Sequence, residues 1–351
     1  MLIEQGVLRT AAGCIRQALP EAKHFVAVTS APVRKHWGKV LAESFESDAM
    51  RLDVIEMPDG ERYKRLETVE KLASELVKLK ADRNTVLVAL GGGVVGDVTG
   101  FLASIYMRGV RFVQIPTTFL AQVDSSVGGK TGVNLAAGKN LVGCFKQPEL
   151  VLIDPLALGT LPEREYRSGL YESLKAGVIR NPAIFDFMEQ KREQVLAQDA
   201  AALEWLIAES VRVKAEVVGQ DEEEHGLRRI LNFGHTIGHA LESETGYKVF
   251  LHGEAVAWGM VAAAMIAVGL QRFPLEQAQR MIGLVLAYAA LPRVEARPKA
   301  IFRRLASDKK TIEGQVHFVL PRRIGEVEIA TDVSERAVLE VVEELRNLSR
   351  A

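Results

Sequence analysis

Three of the seven histidines, His235, His239 and His252, fall within the stretch RRILNFGHTIGHALESETGYKVFLHGE, which runs from Arg228 to Glu254. On a helix, Asn232, His235 and His239 stand at i, i+3 and i+7 and project from one face, while Leu231, Ile237 and Leu241 cover another. Imidazole is the commonest side-chain metal ligand, and two imidazoles with one carboxylate make an open site that keeps a coordination position for substrate. A lone histidine reads better as a satisfied core or surface group; three so close together read better as a metal site. The residues between His235 and His239 are Thr236, Ile237 and Gly238, so the HExxH of a metalloprotease is not present. A carboxylate ligand must come from elsewhere. In GLYESLK, Gly169–Lys175, residues Glu172 and Lys175 share a helical face. They read either as an i, i+3 ion pair or with Glu172 as the third ligand.

A second group of residues suits anions. Gly91-Gly92-Gly93-Val94-Val95-Gly96-Asp97 follows a β-rich run and opens a helical pattern, so backbone amides at a helix N-terminus can approach a pyrophosphate. The ordinary dinucleotide fingerprint also needs an acidic residue about 20 residues on, at the end of the next strand. Here that strand ends in Gln114, Ile115 and Pro116, so the fingerprint is incomplete. An acidic turn, Asp59-Gly60-Glu61, lies upstream with Lys64 three residues later; it reads equally well as a ribose-reading loop or a solvated turn. The segment Pro116–Asn140 gathers Thr117, Thr118, Asp124, Lys130, Lys139 and Asn140 among glycines and serines. Lysines beside mobile backbone suit a phosphate or carboxylate.

The elements that must hold these residues change character along the chain. Phe25–Thr29, Arg51–Met57, Thr85–Leu90, Arg111–Pro116 and Glu149–Asp154 are short β-rich runs, with helical periodicity over Arg34–Phe45 and Glu67–Lys80. This alternation predicts a mostly parallel sheet covered by helices. After Asp154-Pro155 the strand signals stop, and Pro162 to about Leu305 reads as successive helices. Gln315–Pro321 and Gly325–Ala330 form a small extended pair before a last helix over Ser334–Leu348. The expected organisation is an α/β, Rossmann-like domain over 1–158 and an all-α metal- and substrate-binding domain over 159–351.

With 351 residues, a second core is expected. Hydrophobic residues make up 48% and charged residues 25%, and the net charge of -1 gives no footprint for nucleic acid. Cys14 and Cys144 are too few and too distant in sequence for a disulfide framework or a thiolate site, which fits a reducing compartment. Glu4, Arg9 and Arg16 interrupt any apolar signal region. The longest uncharged run, Ala255 to Gln271, is rich in Ala and Gly and suits a packed internal helix better than a membrane span. A cytoplasmic location is the expectation.

Taken in order, Pro58–Lys64, Ala89–Asp97, Met107–Thr118, Gln122–Asn134, Gly138–Asn140, Leu231–Ala240, Leu251–Ala257 and Asp308–Lys310 closely resemble the motifs of the 3-dehydroquinate synthases, in the sugar-phosphate cyclase superfamily. The resemblance implies an NAD-binding N-terminal domain, a helical metal-binding C-terminal domain and a cleft site, and a homodimer is the expected assembly. It implies zinc or cobalt ligands Glu172, His235 and His252, with His239 beside the metal without ligating it. It implies NAD contacts from Asp59, Gly60, Glu61, Arg62, Tyr63 and Lys64, from Gly93, Val94, Val95, Gly96 and Asp97, and from Thr117, Thr118, Lys130, Lys139, Ala157, Leu158, Gly159 and Thr160.

Substrate anions would be held by residues drawn from Arg108, Asn140, Lys214, Arg228, Lys309 and Lys310, and catalytic roles fall to Lys130, Asp124, Lys175, Glu224, Asn232 and His239. In that family 3-deoxy-D-arabino-heptulosonate 7-phosphate becomes 3-dehydroquinate and phosphate, through transient oxidation by NAD, phosphate β-elimination, re-reduction and intramolecular aldol closure. Ala176 and His225 depart from the family's usual residues. The competing readings are a metal-dependent polyol dehydrogenase, a sibling cyclase whose substrate lacks the carboxylate, and a non-catalytic nucleotide binder.

Overall fold

A computed structural model of the chain describes every residue except 225, 308–315 and 351. Two compact units are present, one made of Met1–Pro162 with Ala200–Val211 and the other of Glu163–Asp199 with Arg212–Ala351.

The first unit contains β1 (Leu2–Ile3), α1 (Ala11–Ala18), β2 (His24–Ser30), a short α2 (Ala31–Val33), α3 (Lys39–Ser47), β3 (Arg51–Met57), α4 (Leu66–Lys78), β4 (Val86–Gly91), α5 (Gly93–Ile105), β5 (Arg111–Pro116), β6 (Lys130–Leu135), β7 (Gly138–Phe145) and β8 (Leu150–Ile153). Six strands form one parallel sheet in the order β1-β8-β5-β4-β2-β3. Along β4, alternate residues enter two separate cores. Leu87 and Ala89 pack with Val69, Leu72 and Leu76 of α4 and Val98 and Leu102 of α5, whereas Val86, Val88 and Leu90 pack with Ala12 and Ile15 of α1 and Leu41 and Phe45 of α3. A strand covered on both faces needs a continuous apolar run, which is why β4 is legible in the sequence. The direction of strand order reverses between β2 and β4, and in open α/β sheets ligands bind at the carboxyl ends of strands beside such a switch. The glycine loop leaves β4 at that end.

Pro116–Asn140 reads as a loop in the sequence, yet it contains a turn of π-helix over Ala121–Ser125 and the strand β6, paired antiparallel with β7. Gly132 and Gly143 face each other in this hairpin, and a Cβ on Gly132 would stand 2.5 Å from the Val142 carbonyl oxygen. Only glycine permits that approach, and the same glycines erase the strand signal.

The second unit comprises α6 (Glu163–Ile179), α7 (Pro182–Gln190), α8 (Arg192–Leu196), the later residues of α9 (Ala200–Gln220), α10 (His235–Glu244), α11 (His252–Gly269), α12 (Leu275–Tyr288), α13 (Pro298–Ser307), β9 (Phe318–Arg323), β10 (Glu326–Ala330) and α14 (Glu335–Leu348). The antiparallel β9–β10 pair makes this unit mostly helical rather than entirely so. By length and composition α11 is apolar enough to cross a membrane, but most of it is core: Val256, Trp258, Met260, Val261 and Ile266 are buried. Its packing depends on missing side chains. A Cβ on Gly253 would overlap the Ser168 carbonyl of α6, and one on Gly259 would overlap the Gly234 carbonyl before α10.

A candidate metal centre and nucleotide cradle

The helix expected to carry Asn232, His235 and His239 is broken. Leu227–Asn232 is a 3-10 segment, Gly234 has φ 78, and α10 begins only at His235. Gly234 lies so close to α11 that a Cβ would stand 2.7 Å from the Val256 carbonyl oxygen, and one on Gly238 would stand 2.8 Å from that of Ala255. A left-handed residue at a close approach ends one element and starts another. Thus Asn232 is not on the histidines' helix but ends the 3-10 segment before it.

Close packing of α10 and α6 on α11 brings the start of α11 to the other two elements. The rings of His235 and His239 are 5.1 Å apart and those of His235 and His252 5.2 Å apart, and ligand-type atoms of all three histidines lie within 4.8 Å of one another. Glu172 from α6 joins them: its Oε1 is 3.9 Å from His235 Nε2 and 3.6 Å from His252 Nε2. Tetrahedral ligands about 2.0–2.2 Å from a zinc ion stand roughly 3.3–3.6 Å apart, so these atoms need to move little to share one ion. The start of α11 is tied down separately. Arg164 grips Glu254 through Nε (2.7 Å) and Nη2 (2.8 Å), while Glu254 Oε2 accepts from Leu251 N and Ser168 Oγ accepts from Gly253 N.

Both oxygens of Glu172 are shut from solvent, and neither accepts a hydrogen bond of good geometry. Burial alone would raise the pKa of this carboxyl, but the ammonium of Lys175, in ion contact, and the nearby imidazole of His252 outweigh it and hold the group well below the usual carboxylate range. At His252 burial opposes the charged form, while the carboxylates of Glu172 and Glu242, one beside each ring nitrogen, push its pKa up to about 9. The remaining nitrogens are directed too. His235 Nδ1 lies 3.0 Å from the Phe233 carbonyl oxygen and His252 Nδ1 lies 3.4 Å from Glu242 Oε2, which leaves each Nε2 toward Glu172. A dry, charged carboxylate between two Nε2 atoms is the donor set of a divalent cation.

In the same unit, Asn232 Nδ2 donates to Glu224 Oε1 at 2.7 Å, with Glu224 at φ 65. Arg228 is 2% exposed; its Nη1 donates to the Glu222 carbonyl and its backbone N to Asp221 Oδ2. Lys214 is half-buried in the part of α9 that belongs to this unit. Lys309, Lys310 and His225 lie outside the described residues.

In the first unit, Lys64 is the hub of a polar network. It is 4% exposed and donates from Nζ to Asp97 Oδ2 and to Asn140 Oδ1, each at 2.5 Å. Asn134, which the sequence reading passed over as a site residue, closes the network: its Nδ2 donates to Glu61 Oε1, its Oδ1 accepts from Asn140 N, and its own N donates to the Lys64 carbonyl. The signal for it was its place at the end of the Gln122–Asn134 motif. Asp59 and Gly60 begin this turn, with Gly60 at φ 102, and Arg62 stacks on Tyr63 at 4.6 Å.

Gly93 to Asp97 form the first turn of α5. A Cβ on Gly92 would stand 2.9 Å from Thr118 Cγ2 and one on Gly93 2.9 Å from Ser125 Oγ, so the loop lies flat against Thr118 and the π-helical turn that carries Asp124. Thr117 N donates to the Gly91 carbonyl, and its buried hydroxyl has no partner. An open helix N-terminus over bare glycine backbone, beside an unsatisfied hydroxyl, suits a pyrophosphate. Lys130 starts β6, Lys139 lies near the start of β7, and exposed Arg108 sits in a left-handed turn at φ 67. Ala157, Leu158, Gly159 and Thr160 form a 3-10 segment after β8; Ala157 and Leu158 are buried, and Thr160 Oγ1 accepts from Trp37 Nε1 at 2.9 Å.

Comparison with known proteins shows the same two halves. A profile of the 3-dehydroquinate synthase N-terminal family matches residues 54–168, and one of the C-terminal family matches residues 169–311. A 3-dehydroquinate synthase of Koribacter versatilis is 59% identical over 349 residues, 99% of this chain and 95% of the relative. Among solved structures, 2-epi-5-epi-valiolone synthase from Streptomyces hygroscopicus subsp. jinggangensis, with NAD+ and Zn2+ bound, is similar with a TM-score of 0.90 and 29% identity over 99% of this chain and 96% of its own. A 2-deoxy-scyllo-inosose synthase complexed with carbaglucose-6-phosphate, NAD+ and Co2+ gives a TM-score of 0.88 and 29% identity over 97% of this chain and 95% of its own. Full-length identity of this order, over a chain that sets a charged, buried Glu172 between two directed imidazoles, leaves one conclusion: the chain belongs to the 3-dehydroquinate synthase family.

Proposed function

We propose that the chain converts 3-deoxy-D-arabino-heptulosonate 7-phosphate into 3-dehydroquinate and inorganic phosphate, using NAD and one divalent cation, zinc or cobalt, without net redox change. The observation that carries this reading is the Glu172, His235 and His252 donor set in a chain that two 3-dehydroquinate synthase family profiles match in succession. When bound, the cation favours the ionised form of a substrate hydroxyl and NAD accepts and returns a hydride.

The chain's own residues supply position and charge. Lys175 keeps Glu172 ionised in a dry environment, and His239 stands beside the three ligands as a polar group for the substrate. Glu224 orients the amide of Asn232 toward substrate hydroxyls. We assign the substrate's phosphate and carboxylate to Arg108, Asn140, Lys214, Arg228, Lys309 and Lys310, and ordering of the reacting chain to Lys130 and Asp124. NAD is assigned to Asp59–Lys64, Gly93–Asp97, Thr117, Thr118, Lys130, Lys139 and Ala157–Thr160, with Asn134 holding Glu61 and Asn140 in place. No side chain is assigned as base for the elimination; the departing phosphate takes the proton itself. Such a site works mainly by orientation and fixed charge.

We also place the protein in the cytoplasm as a homodimer. Unpaired cysteines fit a reducing compartment, and exposed Leu135, Leu141 and Phe145 on the β6–β7 hairpin offer apolar surface for a second copy. The deciding experiment is product analysis of the purified protein with Zn2+, the keto acid phosphate and NAD at a small fraction of the substrate concentration. Phosphate is expected to accumulate over many turnovers per NAD while absorbance of reduced cofactor stays flat. One NADH per substrate consumed would overturn the reading in favour of a polyol dehydrogenase.

A further inference from the structure

We propose that Glu242 is a positioning residue for the metal: its carboxylate, on the last turn of α10, holds the Nδ1–H of His252 and so presents Nε2 of that ring, lone pair outward, to the ion shared with Glu172 and His235. The inference rests on the metal assignment above. His252 has two carboxylates, one on each ring nitrogen. Glu172 Oε1 lies 3.6 Å from Nε2 and Glu242 Oε2 lies 3.4 Å from Nδ1. Glu242 is 4% exposed, so its carboxylate is not a solvated surface charge. A buried carboxylate is retained where it compensates or directs another group. Each of the two ligand imidazoles has one such anchor. For His235 it is the Phe233 carbonyl, a backbone group that mutation cannot remove; for His252 it is Glu242.

The need for an anchor follows from where His252 sits. It is the first residue of α11 and its side chain is 31% exposed, the most accessible among His235, His252 and Glu172. Packing alone therefore leaves its ring freer to turn than that of His235, whose side chain is 11% exposed. A carboxylate on Nδ1 selects the Nδ1–H tautomer, fixes the ring plane and raises the basicity of Nε2, and removal of such a partner commonly weakens metal binding 10- to 100-fold. Glu242 and His235 are both on α10, seven residues apart and therefore two turns, so one helix delivers a ligand and the anchor of a second ligand.

The test measures Zn2+ affinity of the full-length protein by competition with a chromophoric chelator, for Glu242→Ala and Glu242→Gln in the wild-type and His252→Ala backgrounds. Glu242→Ala is expected to weaken Zn2+ by about 10- to 100-fold. Glu242→Gln should lose less, because its amide oxygen still accepts from Nδ1–H. In the His252→Ala background neither change should weaken Zn2+ further. In Co2+-loaded protein, the visible absorption bands of Glu242→Gln should shift, a signature that simple destabilisation does not produce. Should Glu242→Ala fail to fold, Glu242→Gln decides alone. Unchanged Zn2+ affinity with unchanged Co2+ bands in a folded Glu242 variant, or an equal loss with and without His252, overturns the inference. If His252→Ala itself leaves Zn2+ affinity intact, the metal assignment has failed instead.

Discussion

A carboxylate buried as deeply as that of Glu172 remains charged only through compensation, and in the metal-free chain the compensation comes from Lys175 and His252. This sets a pH dependence. The pKa of His252 is raised to about 9, so the ring carries its proton through neutrality, whereas a metal ligand must be neutral. A cation bound through His252, as proposed, then displaces one proton from that ring below about pH 9. Apparent Zn2+ affinity is therefore expected to rise about tenfold per pH unit from pH 7 and to level off near 9. Chelator competition across pH 6.5–9.5, corrected for metal hydrolysis, checks this; a flat profile between 7 and 9 would contradict it. Glu172, Lys175 and the cluster His235, His239 and His252 stand out in the sequence because they lie in short, chemically unusual motifs, while the choice of His252 over His239 as a ligand comes from the family resemblance and not from spacing. Glu242 is not legible, since a glutamate in HALESE reads as a solvent-facing helix position and its burial comes from elements distant in sequence, with His252 of α11 beside it.

Between elements, the site depends on where side chains are absent. Gly253 lets the start of α11 touch α6 at Ser168, the contact that sets His252 beside Glu172. Gly253→Ala places a methyl against backbone, which cannot rotate away, so α11 must shift. A loss of about 1–3 kcal/mol is expected, together with reduced metal content. Gly283 is the contrast: it lies inside α12, is exposed, and a Cβ there would meet nothing within 4 Å. Gly283→Ala is expected to gain about 0.5–1 kcal/mol. Urea midpoints and elemental analysis of the two variants test both signs, and a neutral Gly253→Ala with full metal would sink the account. The parallel strands were legible because burial on both faces demands unbroken apolar runs. The β6–β7 hairpin and the break before α10 were not, because glycine there serves contacts with other elements and leaves no periodicity to read.

At the scale of the molecule, alternation of strand and helix signals indicates an α/β unit followed by helices, but sequence patterns do not state strand order or which distant segment joins which core. Residues 200–211 illustrate this. They stand well beyond the last strand of the parallel sheet, yet they group with Met1–Pro162 as one compact unit, and Gln5 Nε2 donates to Glu204 Oε2. In this segment Leu203, Leu206 and Ile207 are at most 2% exposed. Full burial of such a side chain is worth about 1.5–3 kcal/mol, so losing the segment costs a large part of a unit's net stability of roughly 5–15 kcal/mol. A fragment ending at residue 162 should therefore be poorly folded. It should bind a hydrophobic dye and unfold at low urea, whereas the same fragment carrying 200–211 on a flexible glycine-serine linker should unfold later and more cooperatively. Equal urea midpoints for the two fragments would mean that 200–211 contributes nothing to the first unit and that the unit closes at residue 162.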